Sequence, residues 1–487
     1  MAAAILELKL ARSFVLHFNL VCICLLLPFS FTPVSSFSIV KSLPGFSGPL
    51  PFKLETGYVG VGDVEFFYYF IESEGKPAED PLLLWLTGGP GCSAISGLLF
   101  EIGPIQFNMV KYNGTLPTLA LNPHSWTKVA SIIFLDAPVG TGFSYSRSEQ
   151  GYKSKDTIYA KQSYDFLRKW LLSHQKFVTN PLYIAGDSFS GMIVPIIAKA
   201  ISDGIEDGHR PQLNLKGYLL GNPATESKFD DNSKIPFAHR LGLISDELYE
   251  SAKTSCQGDY IKVEKSDKKC AEDLQAISER TTRVNRPHVL EPKCPSEFQQ
   301  LNKIKMNNRR YFLEDYEEPF LLPDYQFGCR NYNSYLCNIW ANDISVQKAI
   351  HIRKGTVTTW IRCNRSLPYE KDVQSALSYH LYLNTRGYRA LIYSGDHDML
   401  VPYLGTMSWI KALNFSIVDD WRPWMVDGQV AGYSREFKNN FTFATLKGGG
   451  HTAPEYQPRE CFAMFKRWIS GESLSSIATS STCATVA

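Results

Sequence analysis

The chain has 487 residues, enough for two or three domains or for one large α/β domain with an insertion. Apolar residues at 44% and charged residues at 20% exclude a wholly disordered or collagen-like chain. Lysine and arginine number 50 against 48 aspartates and glutamates, and the +2 balance is spread along the chain without a block of one sign. That excludes a nucleic-acid partner held by phosphate neutralisation.

Residues 1–36 have the layout of a secretory signal peptide. Lys9 and Arg12 form a weakly basic start, residues 14–31 are nearly all apolar, and Val34 and Ser36 are small residues placed for cleavage. A membrane anchor is the competing reading, but His17, Asn19 and Pro28 interrupt the run and no basic stop-transfer cluster follows. No stable membrane insertion is therefore expected after cleavage. Two of the eleven cysteines, Cys22 and Cys24, fall in this leader, so nine remain in an oxidising compartment, where most should pair. There is no CxxC pair with a matching His, so neither a metal nor another cofactor is expected. Sequons at Asn113, Asn364, Asn414 and Asn440 are candidate glycosylation sites.

Short apolar runs follow at 64–71, 82–86, 131–135, 182–185, 217–220, 390–393 and 441–446, with helical patterns such as 157–174 between them. Buried strands alternating with helices predict an α/β fold with a mostly parallel central sheet. Strand-like runs disappear between 226 and 339, where charge rises and five cysteines gather. This is read as an inserted, mainly helical cap stapled by disulfides. It divides the core into 37–225 and 340–474. Residues 279–319 are polar and basic and read as a solvated loop or an exposed linker open to excision, and 475–487 as a flexible tail.

The stretch 182–191 (LYIAGDSFSG) enters as a strand, turns at Asp187-Ser188-Phe189 and leaves as a helix-like run. Small residues two before and two after the serine permit the sharp strand-to-helix turn of a nucleophile elbow, here with Ser190 where Gly is common. A serine hydroxyl needs a base, and the base needs an orienting carboxylate. In α/β-hydrolases these follow in the order serine, acid, histidine. Residues 390–398 are a strand running into Gly395-Asp396-His397-Asp398, and a further strand runs into Lys447-Gly448-Gly449-Gly450-His451. The reading is therefore Ser188 as nucleophile, His451 as base and Asp398 as acid, preferred over the neighbouring Asp396 and His397. The glycine turn 87–91 after the strand 82–86 exposes backbone N–H groups, and the oxyanion hole is assigned to the amides of Gly89 and Phe189.

These residues sit in segments that resemble the serine carboxypeptidase-like family of α/β-hydrolases over about 43–474: WLTGGPGCS (85–93), DAPVGTGFSYS (136–146), GDSFSG (186–191), SGDHD (394–398) and GGGHTAPEYQP (448–458). The resemblance implies disulfides Cys92–Cys363, Cys256–Cys270 and Cys294–Cys329, leaving Cys337, Cys461 and Cys483 over. It also implies substrate-binding roles for Thr87, Gly88, Asp187 and Glu101. Family peptidases carry Asn at the position of Thr87 and Glu at that of Asp187, where the two help hold a peptide's terminal carboxylate. Shortening Glu to Asp withdraws the carboxyl by roughly 1.5 Å of chain. Residues 186–195, 235–251, 360–364 and 419–433 look like the plant branch that transfers acyl groups from 1-O-acyl-β-glucose esters.

The resemblance thus implies an acyltransferase with a small-molecule acyl-glucose donor and a hydroxyl acceptor. A carboxypeptidase or esterase using the same triad is the alternative. Arg362 is a candidate for an anionic substrate group or a surface arginine, and Trp421 and Trp424 for a slot around a planar acyl group or a packed core pair. The expected location is the secretory pathway, then vacuole or extracellular space. The sequence leaves open the oligomeric state and whether the chain is processed into two disulfide-linked pieces.

Overall fold

The computed structural model describes residues 36–264, 266–294 and 329–475. Residues 1–35 of the expected leader, residues 295–319 of the 279–319 stretch, Cys483 and the tail beyond 475 lie outside the described residues.

A twelve-stranded sheet forms the centre. In chain order its main strands are β1 (Ser36–Val40), β2 (Leu54–Val61), β3 (Val64–Ile71), β4 (Leu82–Leu86), β5 (Ser131–Leu135), β6 (Leu182–Asp187), β7 (Leu215–Gly221), β8 (Arg389–Gly395), β9 (Ile417–Val426), β10 (Gln429–Phe437) and β11 (Phe441–Leu446). They lie side by side as β1-β2-β3-β5-β4-β6-β7-β8-β11-β10-β9, with the two-residue strand Tyr145–Ser146 pairing β3. The six from β5 to β11 in that order are parallel, and antiparallel strands close both edges.

The parallel strands are mostly apolar because both faces are covered, and β4 (LLLWL) is apolar throughout. Side chains alternate between faces, so Leu82, Leu84 and Leu86 of β4 pack in one core and Leu83 and Trp85 in the other. The first core holds α1 (Asp156–Ser173) and α2 (Ser190–Glu206) through Phe166, Trp170, Ile193 and Ile197. The second holds α6 (Tyr332–Asn342) and α7 (Pro458–Ile469), whose Phe465 stacks on Trp126 with ring centroids 4.1 Å apart. Cys337 and Cys461 are buried in this second core.

Between β7 and α6 the described chain is helical: α3 (Lys234–Arg240), α4 (Asp246–Ser255) and α5 (Lys268–Thr281). Helix α4 starts where the Ser245 hydroxyl accepts the Leu248 amide and acidic residues occupy the first turn. Cys256–Cys270 joins α4 to α5 over a small core of its own, which includes Phe237, Leu274 and Ile277 and also takes in Met399 from the far side of the insertion. Cys294–Cys329 closes the described end of the cap next to α6.

Candidate active site

Parallel strands leave their C-terminal ends along one edge of the sheet, where α/β folds collect their chemistry. Here β6 ends in Asp187, and β4, β7, β8 and β11 are followed directly by Thr87, Asn222, Asp396 and Lys447. Ser188 follows β6 with φ 54°, a left-handed conformation that costs a non-glycine residue on the order of 1–3 kcal/mol. The surrounding contacts hold it there: the Ser188 amide donates to Gly221 O at 2.8 Å, and Ser188 O accepts the amides of Gly191 and Ala224. Glycine is required at 186, where a Cβ would lie 2.7 Å from that of Ser190, and at 191, where it would meet Pro223 at 2.5 Å. Ser190 fits at its own position by donating its hydroxyl to Leu86 O at 3.0 Å, which ties the elbow to β4.

The loops after β6, β8 and β11 bring three side chains into line. His451 Nε2 lies 2.8 Å from Ser188 Oγ, and His451 Nδ1 lies 2.8 Å from Asp398 Oδ2. Asp398 is fully buried and accepts further N–H groups from Leu400, Val401 and the Asn222 amide. Burial works against a charged His451, but the Asp398 charge and hydrogen bond outweigh it, with Asp187 adding, and hold the imidazole above its ordinary pKa. Asp396 is engaged elsewhere, accepting the Gly448 amide at 2.7 Å and pairing with His397 Nδ1 at 2.6 Å.

Gly88 packs on the elbow so closely that a Cβ would come within 2.6 Å of the Ser188 Cβ. Gly89 follows with φ 119°, open to glycine only. Among the described residues, neither the Gly89 nor the Phe189 amide donates to another group, so both are available to a developing oxyanion. The turn is braced from behind. Buried Asp136 accepts the Ser93 hydroxyl and the Ala94 amide on one oxygen and the Phe143 amide on the other, which joins segments 85–93 and 136–146. Burial lifts Asp136 to about 6, its three hydrogen bonds opposing. Cys92–Cys363 fastens the turn's far end to 360–364, with Ser93 N donating to Arg362 O and Asn364 N to Gly91 O.

The remaining sequence-derived candidates gather beside this turn. Asp187 is buried and accepts the Gly88 amide at 3.1 Å. Glu101 is 3% exposed, and neither of its oxygens has a hydrogen-bond partner among the described residues; nor does the buried Thr87 Oγ1. Burial pushes Glu101 well above the carboxylate range, Asp187 and Glu455 adding and Arg362 opposing. Burial also raises Asp187, opposed by His451, the Gly88 amide and Arg362. Arg362 is half-buried, donates to Ser96 Oγ at 3.2 Å and lies over the Phe100 ring. The two tryptophans do not form a slot. Trp424 is fully buried on one face of the sheet, whereas Trp421 stacks on Tyr433 and packs against the core of the other. Among the sequons, Asn113, Asn414 and Asn440 are exposed, while Asn364 donates its amide to Gly140 O.

Sequence reasoning missed Asn222. It has φ 43°, is fully buried, donates to Asp398 Oδ2 at 2.9 Å and accepts the Gly395 amide. Its position directly after a buried strand, on the edge that carries the triad, was the available signal.

A parallel sheet flanked by helices, with a nucleophile elbow at its C-terminal edge, defines an α/β-hydrolase. The chain belongs to the serine carboxypeptidase family, whose model matches residues 44–471. It is 51% identical over 444 residues, 91% of this chain and 94% of the relative, to serine carboxypeptidase-like 2 of Arabidopsis thaliana. It is 48% identical over 465 residues, 95% and 98% of the two chains, to serine carboxypeptidase-like 17 of the same plant. Among solved structures, a prohormone-processing carboxypeptidase from Saccharomyces cerevisiae shares the fold with TM-score 0.67 at 18% identity, over 86% of this chain and 92% of that one.

Proposed function

We propose that the protein is an acyltransferase that moves an acyl group, aromatic by family resemblance, from a 1-O-acyl-β-glucose ester to an acceptor hydroxyl through an acyl-enzyme on Ser188. The observation that carries the covalent scheme is the 2.8 Å contact of His451 Nε2 with Ser188 Oγ, continued at 2.8 Å to Asp398. His451 takes the Ser188 proton as the oxygen attacks the ester carbonyl. The Gly89 and Phe189 amides face the oxyanion, and glucose leaves with the proton from His451. The acceptor hydroxyl then gives its proton to His451 and attacks the acyl-enzyme, and Ser188 leaves with that proton from His451. Water at about 55 M competes at that step, so transfer needs an acceptor held at a high effective molarity.

Support for a sugar ester comes from Thr87, Asp187 and Glu101. Among the described residues Thr87 Oγ1 and both Glu101 oxygens are buried without a hydrogen-bond partner, and Asp187 accepts the Gly88 amide of the oxyanion turn; together they suit the hydroxyls of a neutral leaving group. Thr87 and Asp187 are also the positions where the chain departs from family peptidases. The second reading, a serine carboxypeptidase or esterase, draws on the same carboxyls. Burial favours their protonated forms, which could donate to a peptide's terminal carboxylate. Incubation with aromatic acyl-glucoses and a panel of hydroxyl acceptors, read by mass spectrometry, separates the two. Transfer products and glucose that vanish in Ser188→Ala support the first. Efficient cleavage of blocked dipeptides, with hydrolysis alone from acyl-glucoses, supports the second.

In this reading the partners are small molecules, with no nucleic acid, and the protein works in the vacuole or extracellular space. Among the described residues no helix is long and apolar enough to cross a membrane.

A further inference from the structure

The loop that carries His451 has little stiffness of its own. Three consecutive glycines, Gly448, Gly449 and Gly450, precede the histidine, and glycine loses more backbone freedom on ordering than any other residue. A catalytic histidine misplaced by 1 Å can cost on the order of 10²-fold in rate. Something outside the loop must fix it, and the contacts show what does.

Cap residues 286–289 lie directly against both catalytic loops. The His451 amide donates to Pro287 O at 2.7 Å. Pro287 O approaches Gly450 so closely that a Cβ there would lie 2.6 Å away. His288, 7% exposed, donates from Nε2 to Gly448 O at 3.1 Å. On the acid side, the Met399 amide donates to Arg286 O at 2.8 Å and the Val289 amide to His397 O at 3.1 Å. Met399, next to Asp398 in the chain, buries its side chain in the cap's own core. The His288 ring is stacked on His397 at 5.5 Å and on Tyr456 at 4.7 Å, so one imidazole touches the acid loop and the segment that follows the base. Arg330 holds the far end, in a two-pronged pair with Glu291 and with its guanidinium over the Tyr456 ring at 3.9 Å.

We propose that residues 286–289 are a positioning strap, centred on His288, through which the cap sets His451 and Asp398 in register with Ser188. The cap is then a working part of the triad as well as a cover over the sheet edge. His288 touches no reacting atom and acts through the loops. Its bond to Gly448 O fixes the start of the glycine run, Pro287 O fixes its end, and the stacked rings keep the two loops at constant separation. The proposal rests on the reading of Ser188, His451 and Asp398 as the triad.

The test uses the whole protein and a fluorophosphonate probe, which reads serine activation without depending on donor or acceptor. Ser188 Oγ forms a bond to phosphorus, fluoride leaves, and the serine proton passes to His451. Labelling is followed as maximal rate, half-saturating probe concentration and pH dependence, beside the thermal midpoint. His288→Ala is expected to lower the maximal rate by about 10- to 100-fold, with the half-saturating concentration nearly unchanged and the pH limb assigned to His451 displaced. His288→Gln, which keeps a side-chain donor, should recover part of the loss. Should His288→Ala fail to fold, His288→Phe carries the test, because it keeps a stacked ring and removes the N–H. A slowed maximal rate in the folded His288→Phe supports the strap. Wild-type rate and pH profile in whichever variant folds overturn it. Continued labelling of Ser188→Ala would instead overturn the triad reading, so the two failures are distinguishable.

Discussion

At the scale of single residues, the site depends on positions where a methyl group has no room or a single amide has no substitute. Gly88 is the sharpest steric case. A Cβ there would meet the Ser188 Cβ at 2.6 Å and the Phe189 amide nitrogen at 2.9 Å. Gly88→Ala must therefore push the turn away from the elbow and carry the neighbouring Gly89 amide with it. Turnover is expected to fall on the order of 10²–10³, the usual cost of losing an oxyanion donor, while the thermal midpoint moves little. A variant that keeps more than half of wild-type turnover would contradict the placement of the oxyanion hole. Asn222 is the sharpest polar case, because its amide and the His451 ring converge on the same Asp398 oxygen. Asn222→Ala should lower kcat with little change in KM and flatten the His451 limb of the pH profile, and steady-state kinetics across pH decide it. An Asn shows nothing of this in the sequence, since the role arises only when β7 and β8 lie side by side.

At the scale of elements, legibility followed burial. Strands β3, β4, β5 and β11 could be bounded from sequence to the residue, because each is a mostly apolar run covered on both faces. The edge hairpin β9–β10 could not. Asp419, Asp420 and Arg422 and the Pro423 inside β9 disguise it as a loop, yet these are the residues that keep an edge strand from pairing further. The Ser188–His451–Asp398 contacts were legible because three loops at strand ends each carried one of these side chains in the hydrolase order. The contacts of residues 286–289 were not, because they run through backbone carbonyls and stacked rings that leave no motif. Two devices that hold elements together can be measured. Ser190→Gly removes the hydroxyl bond to Leu86 O and should cost about 0.5–1.5 kcal/mol while leaving turnover nearly intact. Urea unfolding beside kinetics checks both halves. Cys92→Ser with Cys363→Ser frees the oxyanion turn from 360–364 and should cost about 2–4 kcal/mol together with a fall in kcat, read by denaturation and turnover of the same preparation.

At the scale of the whole molecule, buried ionisable groups make stability and activity respond to pH in opposite directions. Burial raises Asp136 to about 6 and Asp230 to about 7, each opposed by hydrogen bonds it accepts, and raises Glu101 and Asp187 as well. In the unfolded chain these carboxyls release their protons near pH 4, so between about pH 4 and 7 the folded state holds more protons and stability falls as pH rises. His451 acts in the same sense. Its folded pKa is raised, so its contribution is complete below its ordinary value and is lost as pH climbs through the raised one. Carboxylates held low work the other way. Glu72 is opposed by burial but lowered by Lys176 and Lys53, and Asp273 is opposed by burial but lowered by Lys269, so their contributions are lost as the solution is acidified below about pH 4.5. The thermal midpoint should therefore peak near pH 5 and be several degrees lower at pH 8. Catalysis needs His451 neutral to accept the Ser188 proton, so kcat/KM should still be rising above pH 6.5, where the fold is already weakening. Calorimetry and kcat/KM measured in the same buffers from pH 4 to 9 decide the matter. A midpoint that is flat or climbs from pH 5 to 8 would show that these buried carboxyls are already ionised in the folded chain.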